Sequence, residues 1–427
     1  MKLFQQMLVA GSALSLLAPL AVQANDINID GMNSYARNKS SAKKFNSKTF
    51  INEVTEDLAI LKGRVDGLEA QQNNFEAGSF SDTTVLSGKA TITLAGLENS
   101  AGDEEEGVTA QYMYQMNLNT SFTGDDDLYV RLKTGNAAAP FKTKDYGAYL
   151  SSTNTYGDFL KVDKIWYSFP VGESFKAWVG PKIENYYMHG ASPSIYQPVT
   201  KQFKLGGNGA AYGASTDAGV GIAYYADNGF SVSSNLVSDI NGTGHGFLTN
   251  EVDENWSTQI AYTKPNYHAS LMVALKYDGW GDTYYSTAKG GSRSSTVLSG
   301  ATGNSTNYGL RGYWRPENAG TATPEVSAGY DISVIDGAGS SEDETTAWFA
   351  GLTWKDMFQA DDKIGVAFGQ PQKNESETVD PFAWEAYYSF KVNDSVTMTP
   401  ALFGGTDRTG TAGDDVTGAV LETTFKF

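Results

Sequence analysis

The sequence predicts an all-β fold, a sixteen-stranded antiparallel transmembrane β-barrel, with one short coiled-coil helix in front of it. Three observations carry the prediction: an export signal at the start, alternation with period two repeated along residues 87–427, and connections that alternate between short and long.

Residues 1–24 read as a secretory signal. Lys2 supplies the positive start, Met7 to Val22 is apolar and small, and Val22-Gln23-Ala24 suits cleavage. Gly11, Ser12, Ser15 and Pro19 interrupt the run, which is too short for a membrane-spanning helix. Residues 25–50 are polar, rich in Ser and Asn, and basic from Arg37 to Lys48, which predicts a flexible linker.

The helix is expected over 51–77. Ile51, Leu58 and Val65 fall at a positions and Val54, Leu61 and Leu68 at d positions of a heptad. Asp57 with Lys62, and Arg64 with Glu69, stand five apart at g and e, so parallel neighbours pair opposite charges. An amphipathic helix packed on its own domain shares the apolar spacing, and Gly63 and Gly67 each cost the helix about 1 kcal/mol. The charge pairs favour the oligomeric reading.

From about Ser87 the period becomes two. In "YHASLMVALKY", Tyr267, Ala269, Leu271, Val273, Leu275 and Tyr277 share one face, and His268, Ser270, Met272, Ala274 and Lys276 share the other. "YMYQMNLNTSF", "VSAGYDISV" and "FAWEAYYSFKV" repeat the pattern. Strands of about ten residues with an aliphatic face, aromatic ends and a polar second face are what a bilayer requires. Sixteen such strands can be placed, joined by tight turns such as "PVGE", "DNG", "KPN" and "ND" at one end and by long connections at the other. Pairing of "AAYGAS" near Ala210 would raise the count by two. The chain finishes on "AVLETTFKF", with Phe425 and Phe427 on the outward face as a C-terminal aromatic insertion signature.

Other classes are poorly supported. A formal charge of −18 argues against nucleic acid, which needs clustered Lys and Arg. Cysteine is absent, so there are no disulfides or thiolate metal sites. With three histidines and no HExxH, GxSxG or phosphate-binding loop, no catalytic residues, cofactor or metal site are expected. The acidic stretches "GDEEEG" and "TGDDD" fall in a loop and a turn, where clustered acids face solvent.

The segment "LAILKGRVDGLEAQQNNFEAGSFSDTTVLSGKATITLAG", Leu58 to Gly96, resembles the helix-to-first-strand junction of the cyanobacterial outer-membrane porins, also called iron-uptake porins, which group with the carbohydrate-selective porins. The resemblance implies a trimeric sixteen-stranded barrel in the outer membrane, in contact with lipid and lipopolysaccharide, with its helix in the periplasm. It also implies an S-layer-homology domain, for which the 25–50 stretch is too short. Weak contact of "RNKSSAKKF" with a cell-wall polymer is the most that stretch offers.

A barrel of sixteen strands is too wide to be filled by side chains, so the expected activity is passive diffusion of small hydrophilic solutes; inorganic ions, iron or sugars as cargo are what the resemblance implies, and no residue here selects for them. The alternative is a protein linking outer membrane to cell wall, with the barrel as anchor. Charges assigned to the inner face are mostly positive: Arg131, Lys133, Lys164, Lys176, Lys276, Arg311 and Arg315, against Asp331, Glu385 and Glu422. Such a lining gives mild anion preference, unless these side chains only snorkel at the rims. Loop 183–217 is the third long connection. Either it folds into the pore, with Glu184, His189, Lys201 and Lys204 at the constriction, or it stays outside against a neighbouring protomer or lipopolysaccharide.

Overall fold

In a computed structural model, residues 83–99 and 107–427 are described, except 142–146, 214, 241–245, 247–248, 250, 282–283, 319 and 321. The signal over 1–24, the linker over 25–50 and the acidic stretch at 102–106 lie outside the described residues, as does the helix over 51–77 apart from Lys62 and Val65.

The first eight strands are β1 (Thr84–Asn99), β2 (Thr109–Thr120), β3 (Asp127–Gly135), β4 (Lys161–Val171), β5 (Phe175–Ile183), β6 (Asp217–Tyr225), β7 (Phe230–Ser238) and β8 (Glu254–Thr263). The second eight are β9 (Tyr267–Tyr277), β10 (Ser305–Trp314), β11 (Glu325–Ile335), β12 (Glu344–Lys355), β13 (Lys363–Asn374), β14 (Phe382–Asn393), β15 (Val396–Thr406) and β16 (Val416–Lys426). Each strand pairs with its sequence neighbours, and β1 pairs antiparallel with β16, so the sheet closes without an edge. The "AAYGAS" segment stays outside the sheet, so the count is sixteen.

The alternation is inside-out relative to a soluble protein. On β9, Tyr267, Leu271 and Tyr277 are exposed while His268, Ser270, Met272, Ala274 and Lys276 are buried. On β8, Trp256, Ile260 and Tyr262 are exposed, and Asn255, Ser257 and Gln259 are buried. Bilayer lipid tolerates the first set, and a polar lumen takes the second. Aromatic pairs ring the end that carries the short turns: Tyr167 on Phe169 at 5.5 Å, Phe175 on Tyr224 at 5.1 Å, Tyr262 on Tyr267 at 6.2 Å and Tyr388 on Phe390 at 5.3 Å between centroids.

Connection length segregates by end except at two links of the short-turn end, 315–324 and 356–362, which are as long as the shorter connections of the other end. Two short turns share a device. Asp126 accepts from the Phe122 and Thr123 amides and the Tyr167 hydroxyl; Asp362 accepts from the amides of Met357, Phe358 and Gln359 and the Tyr388 hydroxyl. The β1–β16 closure extends one pair beyond Lys89 and Lys426. Gly88 and Phe427 exchange backbone hydrogen bonds of 2.8 and 3.2 Å, and the Phe427 ring stacks on Tyr114 at 5.8 Å. A Cβ on Gly88 would lie 2.5 Å from that ring and 2.6 Å from the Gln115 carbonyl oxygen.

Candidate functional site

Three long connections matter to the lumen: L2 (136–160), L3 (184–216) and L5 (278–304). L3, "ENYYMHGASPSIYQPVTKQFKLGGNGAAYGAST", runs through the barrel interior, and its apolar residues explain why. Tyr196, Val199 and Phe203 are buried with Phe349 of β12, Tyr387 of β14 and Phe403 of β15, joined by Phe141 and Leu150 of L2 and Tyr285 of L5. Each large apolar side chain so buried contributes about 1.5–3 kcal/mol. One side of the lumen is thereby packed with loop.

Polar fastenings fix the path. Near its start, Asn185 donates to the Asn235 side chain at 2.7 Å and to the Asn255 carbonyl at 3.1 Å. Midway, Glu385 of β14 accepts four hydrogen bonds, from the Tyr196 hydroxyl, the Val199 and Thr200 amides and the Thr200 hydroxyl. Toward the end, Arg311 of β10 donates to the carbonyls of Leu205 and Gly207 at 3.1 and 2.9 Å while its Nη1 and Nη2 also donate to Asp331 of β11 at 3.1 and 2.8 Å. Gly206 permits this approach: its φ is +76°, and a Cβ there would lie 2.8 Å from Arg311 Cδ. Lys276 of β9 donates to the Gly213 carbonyl at 3.0 Å.

Beside this packing, which reaches Ala95 and Leu97 of β1, L3 and the wall formed by β1, β2 and β3 enclose a cavity of about 260 Å³. Lys89, Arg131, Lys133, Lys201, Lys204 and Glu184 line it, with Gln115, Asn208, Tyr186 and Tyr284 between them. The charges are unevenly compensated. Arg131 is paired with Asp163 and donates to the Tyr187 hydroxyl at 3.0 Å. Glu184 is paired with Lys164 at 2.7 Å. Burial alone would raise the Glu184 carboxyl, but Lys164 and Lys204 hold it down at about 2. Lys201 sits over the rings of Tyr149 and Tyr284 at 4.4 and 4.9 Å, and Lys204 over Tyr186 at 4.8 Å. Burial, and then the charges of Lys204 and Lys133, lower the Lys201 ammonium to about 7.

Of the residues singled out from sequence, Arg131, Lys133, Glu184, Lys201 and Lys204 meet at this cavity, with Lys164 directly behind Glu184. Lys276 and Arg311 are spent on L3 carbonyls. His189 is buried edge-on to Tyr212 at 5.7 Å, with burial lowering its imidazole to about 3, and is thus neutral. Lys176 lies over Trp178 at 5.4 Å, and Arg315, at the short-turn end, is 3.9 Å from Glu325. Phe425 and Phe427 are exposed on the outer face.

Sequence reasoning passed over Lys89 and Asp163. Lys89 shares the inward parity of Thr91, Thr93 and Ala95 on β1, so alternation alone would have found it. Asp163 was hidden by a β-bulge. Arg131 pairs with Lys164 and Leu132 with Val162, leaving Asp163 as the extra residue, so Asp163 and Lys164 are both buried although adjacent.

Comparison with known proteins agrees with this architecture. A family model described as "Carbohydrate-selective porin, OprB family" matches residues 45–427. An uncharacterized protein of Nostoc sp. is 27% identical over 426 aligned residues, spanning 88% of this chain and 71% of its own. One of Synechocystis sp. is 22% identical over 412 residues, spanning 83% and 71%. Among solved structures, Pseudomonas putida OprB at high pH superposes with a TM-score of 0.56 at 15% identity, over 81% of this chain and 94% of that one. OmpT of Vibrio cholerae, in its trimer form, gives 0.52 at 14% identity, over 81% and 99%. At these identities the structural likeness is one of fold.

Proposed function

Because this chain belongs to the OprB family of carbohydrate-selective porins, and so to the outer membrane, we propose that it forms a trimeric channel for passive diffusion of small hydrophilic solutes with a preference for anions. The observation that carries the reading is the eccentric constriction. L3 packs against one side of the lumen and leaves beside that packing a cavity whose lysines outnumber the carboxylates near them. Charged rings at a constriction set which ions pass. Sugars enter the proposal through the family's description, since no residue of the cavity selects for them.

Trimerisation is supported by the trimer form of the similar Vibrio cholerae OmpT and by the heptad over 51–77, which would stand in the periplasm once residues 1–24 are removed. Reconstitution of the purified protein into planar bilayers tests the reading. Ohmic conductance in groups of three equal steps is expected. A folded, detergent-extracted oligomer that conducts nothing overturns it and leaves the barrel as an anchor.

A further inference from the structure

We propose that the cavity between L3 and the β1–β3 wall is a binding site for a tetrahedral oxyanion, a phosphate group either free or carried on a small solute, held by Lys89, Lys133, Lys201 and Lys204. The inference deepens the channel reading and rests on it, because the site lies on the path assigned to solute.

The first argument is charge. Among the described residues, none of these four ammonium groups forms an ion pair within 4.0 Å or a hydrogen bond, although all four lysines border one cavity of about 260 Å³. The acid that shares the cavity, Glu184, has one carboxylate oxygen on Lys164 at 2.7 Å and the other accepting from the Thr216 hydroxyl at 3.1 Å. The Arg131 guanidinium is answered by Asp163. Glu184 answers Lys204 and Glu422 answers Lys89 only at longer range, so four ammonium groups gathered at one cavity still outnumber the acids facing them and repel one another, and a multivalent anion relieves that repulsion where a neutral sugar does not. Mutual repulsion is already visible at the loop residues: Lys204 and Lys133 help burial to lower Lys201.

The second argument is preorganisation. Lys201 is seated over Tyr149 and Tyr284, and Lys204 over Tyr186, so two of the four ammonium groups are placed by aromatic faces. Lys89 and Lys133 come from neighbouring regions of the rigid wall, on β1 and β3. Asn208, also in the lining, adds a side-chain amide, and Gln115 adds the second N–H of an amide that already donates to Asn117 at 2.9 Å. Lysine serves phosphate as a point charge with three donors, so several converging lysines can each take a different oxygen of a tetrahedral dianion.

The test uses the full-length trimer in bilayers of fixed KCl concentration, with inorganic phosphate, glucose 6-phosphate and glucose added in turn. Inorganic phosphate is expected to reduce single-channel current saturably, and Lys201→Gln with Lys204→Gln to raise the half-blocking concentration by about tenfold or more. Lys201→Arg with Lys204→Arg should keep the block. If glucose 6-phosphate blocks and inorganic phosphate does not, the site takes the phosphoryl group only as part of a larger solute. Glucose blocking as well as either phosphate would overturn the proposal. So would a conducting, anion-preferring channel that phosphate leaves unaffected, and that result would spare the channel reading. Calorimetric titration of phosphate into the detergent-solubilised trimer decides the matter even if no conductance is seen: about one phosphate per chain, lost in the Gln variant, supports the site, and absence of binding refutes it.

Discussion

Replacing Glu385 should free the middle of L3. Its carboxylate is buried and accepts from the Tyr196 hydroxyl at 2.9 Å, the Val199 amide at 3.2 Å, the Thr200 amide at 3.0 Å and the Thr200 hydroxyl. Bonds to a charged group contribute about 1.5–3 kcal/mol apiece, and removal of the carboxylate returns part of that by abolishing its burial, so Glu385→Ala should cost roughly 3–5 kcal/mol of loop docking. That lowers the ratio of docked to released loop by about a hundredfold or more. Asn185 and Arg311 still hold the two ends, so the segment around 194–200 is released rather than the whole loop. Glu385→Gln is the graded control. Its amide nitrogen would replace one oxygen and face the Thr200 amide donor, while the Thr200 hydroxyl can turn and accept. One bond is lost instead of four, about 1–3 kcal/mol. Single-channel recording should show higher conductance and added open-channel noise in Glu385→Ala, with Glu385→Gln intermediate. Native conductance and noise in a folded Ala trimer would refute the assignment of Glu385 as the fastening of L3.

Further outcomes follow from the same geometry. The Lys201 ammonium, at about 7, is charged below that pH and neutral above it, so anion preference should weaken as pH rises from 6 to 8; Lys201→Arg should flatten the profile, and an identical slope in the variant would remove Lys201 from the selectivity. Gly88→Ala pushes a methyl against the Phe427 ring and a fixed carbonyl, an overpacking of about 1–3 kcal/mol that should lower the temperature at which the barrel unfolds on heated gels; an unshifted temperature would show that the β1–β16 closure adapts. Leu61→Asp with Leu68→Asp should dissociate trimers in mild detergent at lower temperature, whereas unaltered oligomers would leave the heptad without this role.

The strands were legible because each carries its own record of two environments. Leu271 against Ser270, or Ile260 against Gln259, can be read without knowing any distant partner. The interior of the lumen was not legible in the same way. Alternation placed Arg311, Lys276 and Glu385 inside, but their consumption by L3 depends on contacts 106, 63 and 185 residues away in sequence. Composition of L3 offered a partial signal in Tyr196, Val199 and Phe203, which an exposed loop has no reason to carry together. Bulges break the parity argument outright. Asp163 reaches Arg131 because one residue slips out of register, and an inner-face charge count made by strict alternation omits it.

The measurement that bears most directly on the account is the reversal potential of the reconstituted native trimer across a KCl gradient at pH 6, where Lys201 carries its charge. The lysine-lined constriction predicts a potential displaced toward the chloride equilibrium value, moving back toward zero in Lys201→Gln with Lys204→Gln. A native channel whose potential lies toward the potassium value would contradict it.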